Sequence, residues 1–466
     1  PAEMGKLKKL ELLSLAGNSL KLLPVQLGEC TALRSLTLSE NALVELPPTI
    51  GQLQCLRTLK LDHNETLTAL PEELCKLSCL SALSVAACSL TWLPQGLGGL
   101  TLLSTLQAKD NRLTSLPSSI GQLRHLRTLA LEGNRLESLP HTLGGCDSLR
   151  VLSLSVNRLR ALPQSLSGLI SLQELRLDDN PLVGLPDALP PALRLLGLSV
   201  CSAVTQLPAA LGRLAELEVL AAGAARIREL PAAMFEPHAE GLDDISDISD
   251  ATGSRLVEPP AVPLGACLRT LQLSGNVLEL LPDALGNLTS LRTLEVSDNR
   301  LGGLPTSIGQ LACLETLRAS ENRIAGLPVS IGNLSALRTL GLGANRLASL
   351  PATLGQLTRL EELELHSNRL QSLPTSLGRV VRLRRLLLDD NELHALPDSL
   401  ARLTRLEELG LAGNLLTELP RPLLGLPVSG DGAGIDGAEP SAASGPTAPC
   451  GSSGEESSQS QVCGLK

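Results

Sequence analysis

Aromatic side chains are almost absent from this chain of 466 residues, which contains one Trp, one Phe and no Tyr. Leucine therefore has to fill any hydrophobic core that the chain forms. The single Trp, Trp92, cannot make an aromatic binding patch, because such a patch needs several neighbouring apolar side chains. Recognition of a partner through clustered aromatic residues is thereby excluded.

Sequence motifs of enzymes and metal sites are missing as well. The chain contains no phosphate-binding loop of the form G-x-x-x-x-G-K-[ST], no H-E-x-x-H and no set of kinase motifs. Its eleven cysteines are scattered, odd in number and never spaced as C-x-x-C. This usage predicts free thiols in a reducing compartment and argues against a zinc site. We therefore expect a protein that is not an enzyme and binds no cofactor or metal ion.

The charge pattern excludes two further classes of partner. No apolar run is long enough to span a membrane, and no signal peptide is visible. Residues 236–263 carry seven acids and one base, and residues 421–466 carry five acids and two bases, which accounts for the whole net charge of -9. Since the rest of the chain is formally neutral, it lacks the concentrated basic face that nucleic acids require. We expect neither a transmembrane segment nor a nucleic-acid partner.

A repeated pattern organises most of the chain. The stretch from Leu357 to Pro374 reads L-x-x-L-x-x-L-x-L-x-x-N-x-L-x-x-L-P, and its Leu-Pro step occurs at the repeat position of seventeen units, usually every 23 residues. The paired leucines alternate at period two and so point to one side of a short strand. The segment after each Pro, x-x-L/I-G-x-L, predicts one or two turns of α- or 3₁₀-helix, in which Gly lets the backbone reverse. One such coil cannot bury its own leucines, whereas stacked coils can.

The Asn of each unit is interpreted as a ladder residue, whose amide bonds backbone groups where the strand turns away. One residue is inserted near Glu65-Thr66 and another near Ala203-Val204, and one coil that contains Pro190-Pro191 is two residues short. We number the coils 1–17 by their ladder residues, three of which are not Asn. These are Asn18, Asn41, Asn64, Cys88, Asn111, Asn134, Asn157, Asn180, Cys201, Ala225, Asn276, Asn299, Asn322, Asn345, Asn368, Asn391 and Asn414.

The predicted fold is an α/β solenoid, a leucine-rich repeat horseshoe of 17 repeats of about 23 residues. A parallel β-sheet is expected on its concave face and short helices or 3₁₀ turns on its convex face. The repeat array is assigned to residues 1–427; it begins within a coil and has no N-terminal cap, which implies missing residues upstream. Residues 236–263 are predicted to be an acidic disordered insertion, and residues 428–466, rich in Gly, Ser, Pro and Ala, a disordered tail.

Charged residues on the predicted concave face are the candidate functional site. They form an acidic strip between two rows of Arg, and within it Glu174–Asp179 and Glu362–Glu408 are the densest clusters. One alternative is that these charges keep the surface soluble and pair across neighbouring coils, each pair contributing little. The functional hypothesis is that the strip binds a protein with basic patches. The predicted protein-binding residues are Lys60, Asp62, His63, Lys109, Asp110, Glu132, Glu174, Arg176, Asp178, Asp179, Glu295, Arg318, Glu362, Glu364, His366, Asp389, Asp390 and Glu408.

The 23-residue unit, L-x-x-L-x-L-x-x-N-x-L-x-x-L-P-x-x-L/I-G-x-L, resembles that of intracellular Ras-group leucine-rich repeat proteins over residues 1 to about 427. These include the plant intracellular Ras-group proteins, the Ras-suppressor type and the repeats of Scribble and Erbin scaffolds. The resemblance implies a cytoplasmic, non-catalytic scaffold in intracellular signal transduction, with a small GTPase as one candidate partner. The chain departs from the plant group, because it has no Tyr for that group's Gly-Val-Tyr-Trp segment.

Two other functions remain open from the sequence. The array could be the recognition region of a larger enzyme, such as a kinase, a GTPase or a ubiquitin ligase, whose catalytic part is missing. It could also be a structural repeat protein of the cytoskeleton or axoneme. The expected location is the cytoplasm, with the cytoskeleton, the axoneme and the inner membrane face as alternatives, and the expected state is a monomer.

Overall fold

The computed structural model of the chain describes residues 2–236, 264 and 267–421. Most of the predicted acidic insertion and the whole of the predicted tail lie outside these residues. Both assignments therefore stay predictions.

Every described coil contributes one strand of three residues, with a leucine in the middle. The middle leucine points into the molecule, as the period-two pattern predicts. The strands are β1 Leu12–Ser14, β2 Ser35–Thr37, β3 Thr58–Lys60, β4 Ala82–Ser84, β5 Thr105–Gln107, β6 Thr128–Ala130, β7 Val151–Ser153, β8 Glu174–Arg176, β9 Leu195–Gly197, β10 Val219–Ala221, β11 Thr270–Gln272, β12 Thr293–Glu295, β13 Thr316–Arg318, β14 Thr339–Gly341, β15 Glu362–Glu364, β16 Arg385–Leu387 and β17 Glu408–Gly410.

These strands form one open parallel sheet. Each strand pairs with the next along the chain, and equivalent repeat positions lie opposite each other, as Leu340 and Leu363 do between β14 and β15. Strand pairing also continues from β10 to β11, where Leu220 pairs with Leu271 although the two residues are far apart in the sequence. The predicted solenoid of seventeen repeats with a parallel concave sheet is confirmed.

Short 3₁₀-helices cover the opposite, convex side. Most begin directly after a Pro, and Pro117 is typical, with φ -65° and ψ 143°. Coil 8, the short coil, has no helix among its described residues. The helices are Ala2–Lys6, Val25–Glu29, Pro48–Gln52, Glu72–Lys76, Leu97–Gly99, Ser118–Gln122, His141–Gly145, Gln164–Gly168, Ala209–Arg213, Ala232–Met234, Asp283–Asn287, Thr306–Gln310, Val329–Asn333, Ala352–Gln356, Thr375–Arg379 and Asp398–Arg402.

The recurrent Gly of these helices has a different role from the one expected. Gly121, Gly309 and Gly355 do not have the positive φ that a backbone reversal would use. Instead, an added Cβ at Gly309 would collide with the backbone oxygen of Ser330 in the helix of the next coil. The interpretation as a reversal point was wrong: Gly is required because consecutive convex helices pack backbone against backbone.

Leucines from all coils form one continuous core between the sheet and the helices. Most of them are completely buried, and Phe235 is the aromatic residue among them. Burying a Leu side chain contributes roughly 1.5–3 kcal/mol. The core therefore grows in proportion to the number of coils, because each coil covers the leucines of its neighbours.

The described cysteines are free thiols, as predicted. Burial raises the pKa of Cys88 and of Cys201 to about 11, and that of Cys146 to about 12. At neutral pH these thiols stay protonated and act as small apolar side chains.

The ladder Asn connects two coils through its side-chain amide. Asn134 Nδ2 donates to the carbonyl oxygens of Ala108 (2.9 Å) and Leu131 (3.0 Å), and its Oδ1 accepts a bond from Leu113 N (3.0 Å). The amide therefore pairs with backbone groups of its own coil and of the preceding one, which confirms the role assigned to it. Equivalent bonds are made by Asn41, Asn64, Asn111, Asn157, Asn180, Asn276, Asn299, Asn322, Asn345, Asn368, Asn391 and Asn414.

The inserted residues compensate for missing ladder amides. Cys88 cannot accept a bond from the preceding coil as Asn would, and in that coil Leu67 N instead donates to the carbonyl oxygen of Asn64 (2.9 Å). The second insertion makes the same local bond, from Val204 N to the Cys201 oxygen (2.9 Å), ahead of a coil whose ladder residue is Ala. In both places the longer turn satisfies its own N–H group within the coil.

The residue just before each ladder residue adopts the left-handed conformation in all seventeen described coils. Its φ lies between +50° and +73°, and the position is Gly in four coils. Asp and Asn tolerate this conformation better than most residues, whereas a β-branched residue is strained there. Val156 (φ 56°) and Val200 (φ 62°) are such strained residues. The repeat consensus did not reveal this constraint, because many residue types fill the position.

Replacing Asn134 by Ala tests the ladder. We expect Asn134→Ala to lower the free energy of unfolding by about 2–4 kcal/mol, because it leaves buried backbone groups unpaired. The amide of Leu113 should exchange faster with solvent in hydrogen-exchange measurements. Cys88→Ala is the control: its Sγ makes only long contacts, to the oxygens of Leu61 (3.4 Å) and Ala86 (3.6 Å), so a loss below about 1 kcal/mol is expected. Equal losses in the two variants would contradict the role of the amide.

Replacing Val156 by Asn tests the left-handed position. Val156→Asn should stabilise the protein by about 1 kcal/mol in denaturant unfolding, because Asn relieves the strain of a β-branched residue at positive φ. Val156 is 53% exposed, so little packing is lost. The matched control is Val183→Asn, since Val183 is 70% exposed and outside the left-handed region. A gain at both positions would show that exposure rather than backbone strain is responsible.

Candidate protein-binding face

The concave surface is built from four positions in each coil. The first and third residues of every strand point away from the leucine core, and the two residues after the second leucine follow them. In β15 these are Glu362 and Glu364, half-buried on either side of the buried Leu363. All of the predicted site residues occupy these four positions, so the repeat pattern located the surface correctly.

The C-terminal cluster contains a basic residue that the prediction of an acidic cluster omitted. Register places Arg385 between Glu362 and Glu408, at the first position of three consecutive strands. Arg385 Nε lies 2.7 Å from Glu408 Oε2, and this carboxylate raises the pKa of the Arg385 guanidinium. Glu408 is therefore already paired. The 23-residue spacing from Arg385 to Glu408 was the signal for this contact.

Three predicted Asp residues have a structural role. Each Asp carboxylate accepts a hydrogen bond from a backbone N–H group of the following coil. The strand pairing of the sheet does not use that N–H group. Part of the acidic strip is therefore explained by backbone pairing rather than by a partner. The bonds join Asp62 to Ala86 N (2.8 Å), Asp178 to Ser199 N (2.8 Å) and Asp389 to Ala412 N (2.9 Å).

Four more predicted residues occupy the left-handed position before the ladder residue. Backbone conformation alone favours Asp at such a position, so its frequency there is not evidence of binding. All four side chains are exposed and stay available to a partner. They are His63 (φ 57°), Asp110 (φ 56°), Asp179 (φ 54°) and Asp390 (φ 54°).

Other concave charges pair with each other. Arg176 lies 3.3 Å from Glu174 in the same strand, and Arg318 lies 3.4 Å from Glu295 in the neighbouring strand. Such exposed pairs contribute about 0–1 kcal/mol each. One oxygen of Glu132 is shielded and accepts no hydrogen bond within the described residues. Lys60 and Lys109 are exposed.

The basic row along one edge of the sheet is also largely neutralised in the C-terminal coils. There, Arg and Glu alternate at the residue after the first leucine of each coil. The alternative of pairing across coils therefore holds for this row. The pairs are Arg269–Glu218 (3.5 Å), Arg292–Glu315 (3.2 Å), Arg338–Glu361 (2.6 Å) and Arg384–Glu407 (3.2 Å).

Glu362, Glu364 and His366 lie together on the concave face, and within the described residues their side chains bond no backbone group. Within the described chain neither Glu forms an ion pair, although Thr339 Oγ1 lies 3.4 Å from Glu362 Oε2. An added Cβ at Gly343 would collide with the His366 ring, so this ring lies flat over the preceding coil. The sequence did not single out Gly343 as part of the site, because Gly there also fits a repeat strand. We call Glu362, Glu364 and His366 the acidic shelf.

The described residues show no arrangement for metal binding or membrane insertion. No three His, Cys, Asp or Glu side chains among them converge as ligands. No helix in the same ranges has the length and apolar character needed to cross a membrane.

Comparison with known proteins agrees with the repeat geometry. The family described as "Leucine-rich repeat region" matches residues 25–112, 265–340 and 329–419, and "Leucine rich repeat" matches residues 124–182. A search of curated proteins gave no match.

Several solved structures share the fold. A leucine-rich repeat protein of Leptospira interrogans is 29% identical with a TM-score of 0.69, and the alignment covers 89% of this chain and 93% of that one. The ectodomain of the Arabidopsis thaliana receptor kinase GASSHO1/SCHENGEN3, in complex with CASPARIAN STRIP INTEGRITY FACTOR 2, is 30% identical with a TM-score of 0.60; 89% of this chain matches 52% of that one, about half its length. YopM from Yersinia enterocolitica is 25% identical with a TM-score of 0.52, covering 87% and 83%.

Family match, strand register and the Asn ladder lead to the same conclusion. The family model alone covers more than half of the chain, and the coil geometry is that of its solved relatives. This chain belongs to the leucine-rich repeat family.

Proposed function

We propose that the chain is a non-catalytic scaffold that binds a protein partner through the acidic shelf on its concave face. The observation that carries the proposal is that Glu362, Glu364 and His366 lie together and bond no backbone group within the described residues, whereas three of the other predicted acids do. Charges that the backbone does not use are available for a partner. The partner's complementary surface is an Arg- or Lys-rich segment.

The repeat fold supports a binding role without chemistry. Its relatives include a receptor ectodomain whose structure was solved with a bound factor. A concave parallel sheet offers side chains at fixed spacings of about 4.8 Å from coil to coil, which suits an extended surface of a partner. We further propose that this scaffold acts in intracellular signal transduction, and that a small GTPase is a candidate partner.

Charge reversal on the acidic shelf tests the proposal. Glu362→Lys/Glu364→Lys should weaken partner capture at least about tenfold, because it replaces attraction by repulsion. Asp389 is left unchanged, since it accepts the bond from Ala412 N (2.9 Å) and its loss would disturb the fold. Capture is measured by affinity purification and mass spectrometry, and circular dichroism confirms folding.

The matched control carries the same change of charge elsewhere. Glu45→Lys/Glu137→Lys alters two exposed acids outside the concave face and should leave capture intact. If the shelf variant recovers the same proteins in the same amounts, the shelf is not the binding site. Purified small GTPases loaded with GDP or a GTP analogue form a separate arm: binding to none of them removes that partner class without affecting the proposal for the shelf.

A further inference from the structure

A groove on the flank of coils 9–12 is separate from the concave face. It encloses about 810 Å³ and is lined by Arg226, Arg228, Arg300, Leu280, Glu229 and Glu279, with two further residues at its margin. Pockets of this size hold a short segment of a ligand rather than a folded domain. The function proposed for the acidic shelf uses none of these residues.

The irregular coils 9 and 10 form one side of this groove. Arg226 directly follows the ladder position that Ala225 fills, and Arg300 directly follows Asn299. The longer turn of coil 9 pairs with coil 10 along the flank, through Arg226 N to the Val204 oxygen and Arg228 N to the Thr205 oxygen, both 3.2 Å. These bonds fix the backbone of the arginines at the edge of the groove.

The groove carries three guanidinium groups against two carboxylates, a formal charge of +1. Arg226, Arg228 and Arg300 are exposed, and none of them forms an ion pair within the described ranges. One of the two acids, Glu229, accepts a long hydrogen bond at its Oε1 from Gln206 Nε2 (3.5 Å). Guanidinium groups bind carboxylates through two parallel hydrogen bonds, so three of them are a strong recognition element for acidic side chains.

The arginines that follow the ladder residues continue beyond the groove. Arg323, Arg346 and Arg369 directly follow the ladder residues of coils 13–15, and all three are exposed. Gly302 and Gly326 lie beside them, and an added Cβ at either would meet nothing within 4 Å. The surface at these two glycines is therefore open.

An apolar side chain gives the groove a second feature. Leu280 is 61% exposed on its lining, next to the half-buried Val277. An exposed Leu beside three arginines fits a ligand that combines carboxylates with an aliphatic side chain. Glu229 and Glu279 repel any anionic ligand alike, but a nucleic acid would offer no aliphatic side chain for Leu280.

We propose that this groove binds an acidic peptide segment of a partner protein, with its carboxylates on Arg226, Arg228 and Arg300 and an aliphatic side chain on Leu280. The solenoid then has two interaction surfaces of opposite charge. The acidic shelf takes basic segments, and the flank groove takes acidic ones.

Fluorescence anisotropy on the full chain tests this proposal. The probe is a labelled synthetic peptide with the sequence of residues 243–250, in which Ile alternates with acids and Ser. Arg228→Glu/Arg300→Glu should weaken its binding at least about tenfold, and Leu280→Ser about three- to tenfold. The matched controls should leave binding unchanged: Arg112→Glu, an exposed Arg that also follows a ladder Asn, and Leu22→Ser, at the equivalent repeat position and 60% exposed.

Three results would overturn the proposal. The first is the absence of binding, or binding that the groove variants do not weaken. The second is equal affinity for a heparin fragment or for a peptide with both Ile replaced by Ser, which would mean that negative charge alone is recognised. The third concerns a full-chain variant in which Asp243, Asp244, Asp247 and Asp250 are replaced by Asn. If the peptide binds this variant but not the unaltered chain, the chain's own acidic stretch occupies the groove instead of a partner.

Discussion

The structure depends on one constraint: no coil of about 23 residues can bury its own leucines or pair its own backbone. Stacking meets both needs together, since the leucines of adjacent coils cover each other while strands and ladder amides pair across the same boundary. Asn134 shows how directly the two are linked, because its amide bonds its own coil and the preceding one. Leucine dominates the core, because the same positions of the repeat face inward in coil after coil.

The irregular coils follow the same constraint. Cys88 and Ala225 have no amide to offer the preceding coil, and an inserted residue in that coil lets the N–H group of Leu67 or Val204 bond within its own turn. The degenerate coils therefore keep the sheet in register from β9 to β11. The flank groove occurs at this place, where the longer turn and the altered ladder change the surface without interrupting the core.

The candidate site was only partly predictable. Period two and the 23-residue repeat placed every predicted residue on the concave face. They could not separate Asp389, which accepts a backbone bond, from Glu364, which does not, because both are acids at concave positions. Nor could they show that Asp390 stands where the backbone is left-handed, since that conformation comes from the way the strand turns into the ladder.

The sequence by itself determined the fold, the number of coils and the face that carries the charges, because each of these follows from the period of the leucines. Only the tertiary structure decided which charges are free. Whether a side chain is paired depends on its neighbour one coil away, and that neighbour is 23 residues distant in the chain, as Glu408 is from Arg385. Tertiary structure likewise revealed the packing role of Gly309 and the groove at Leu280, since both arise from contacts between coils.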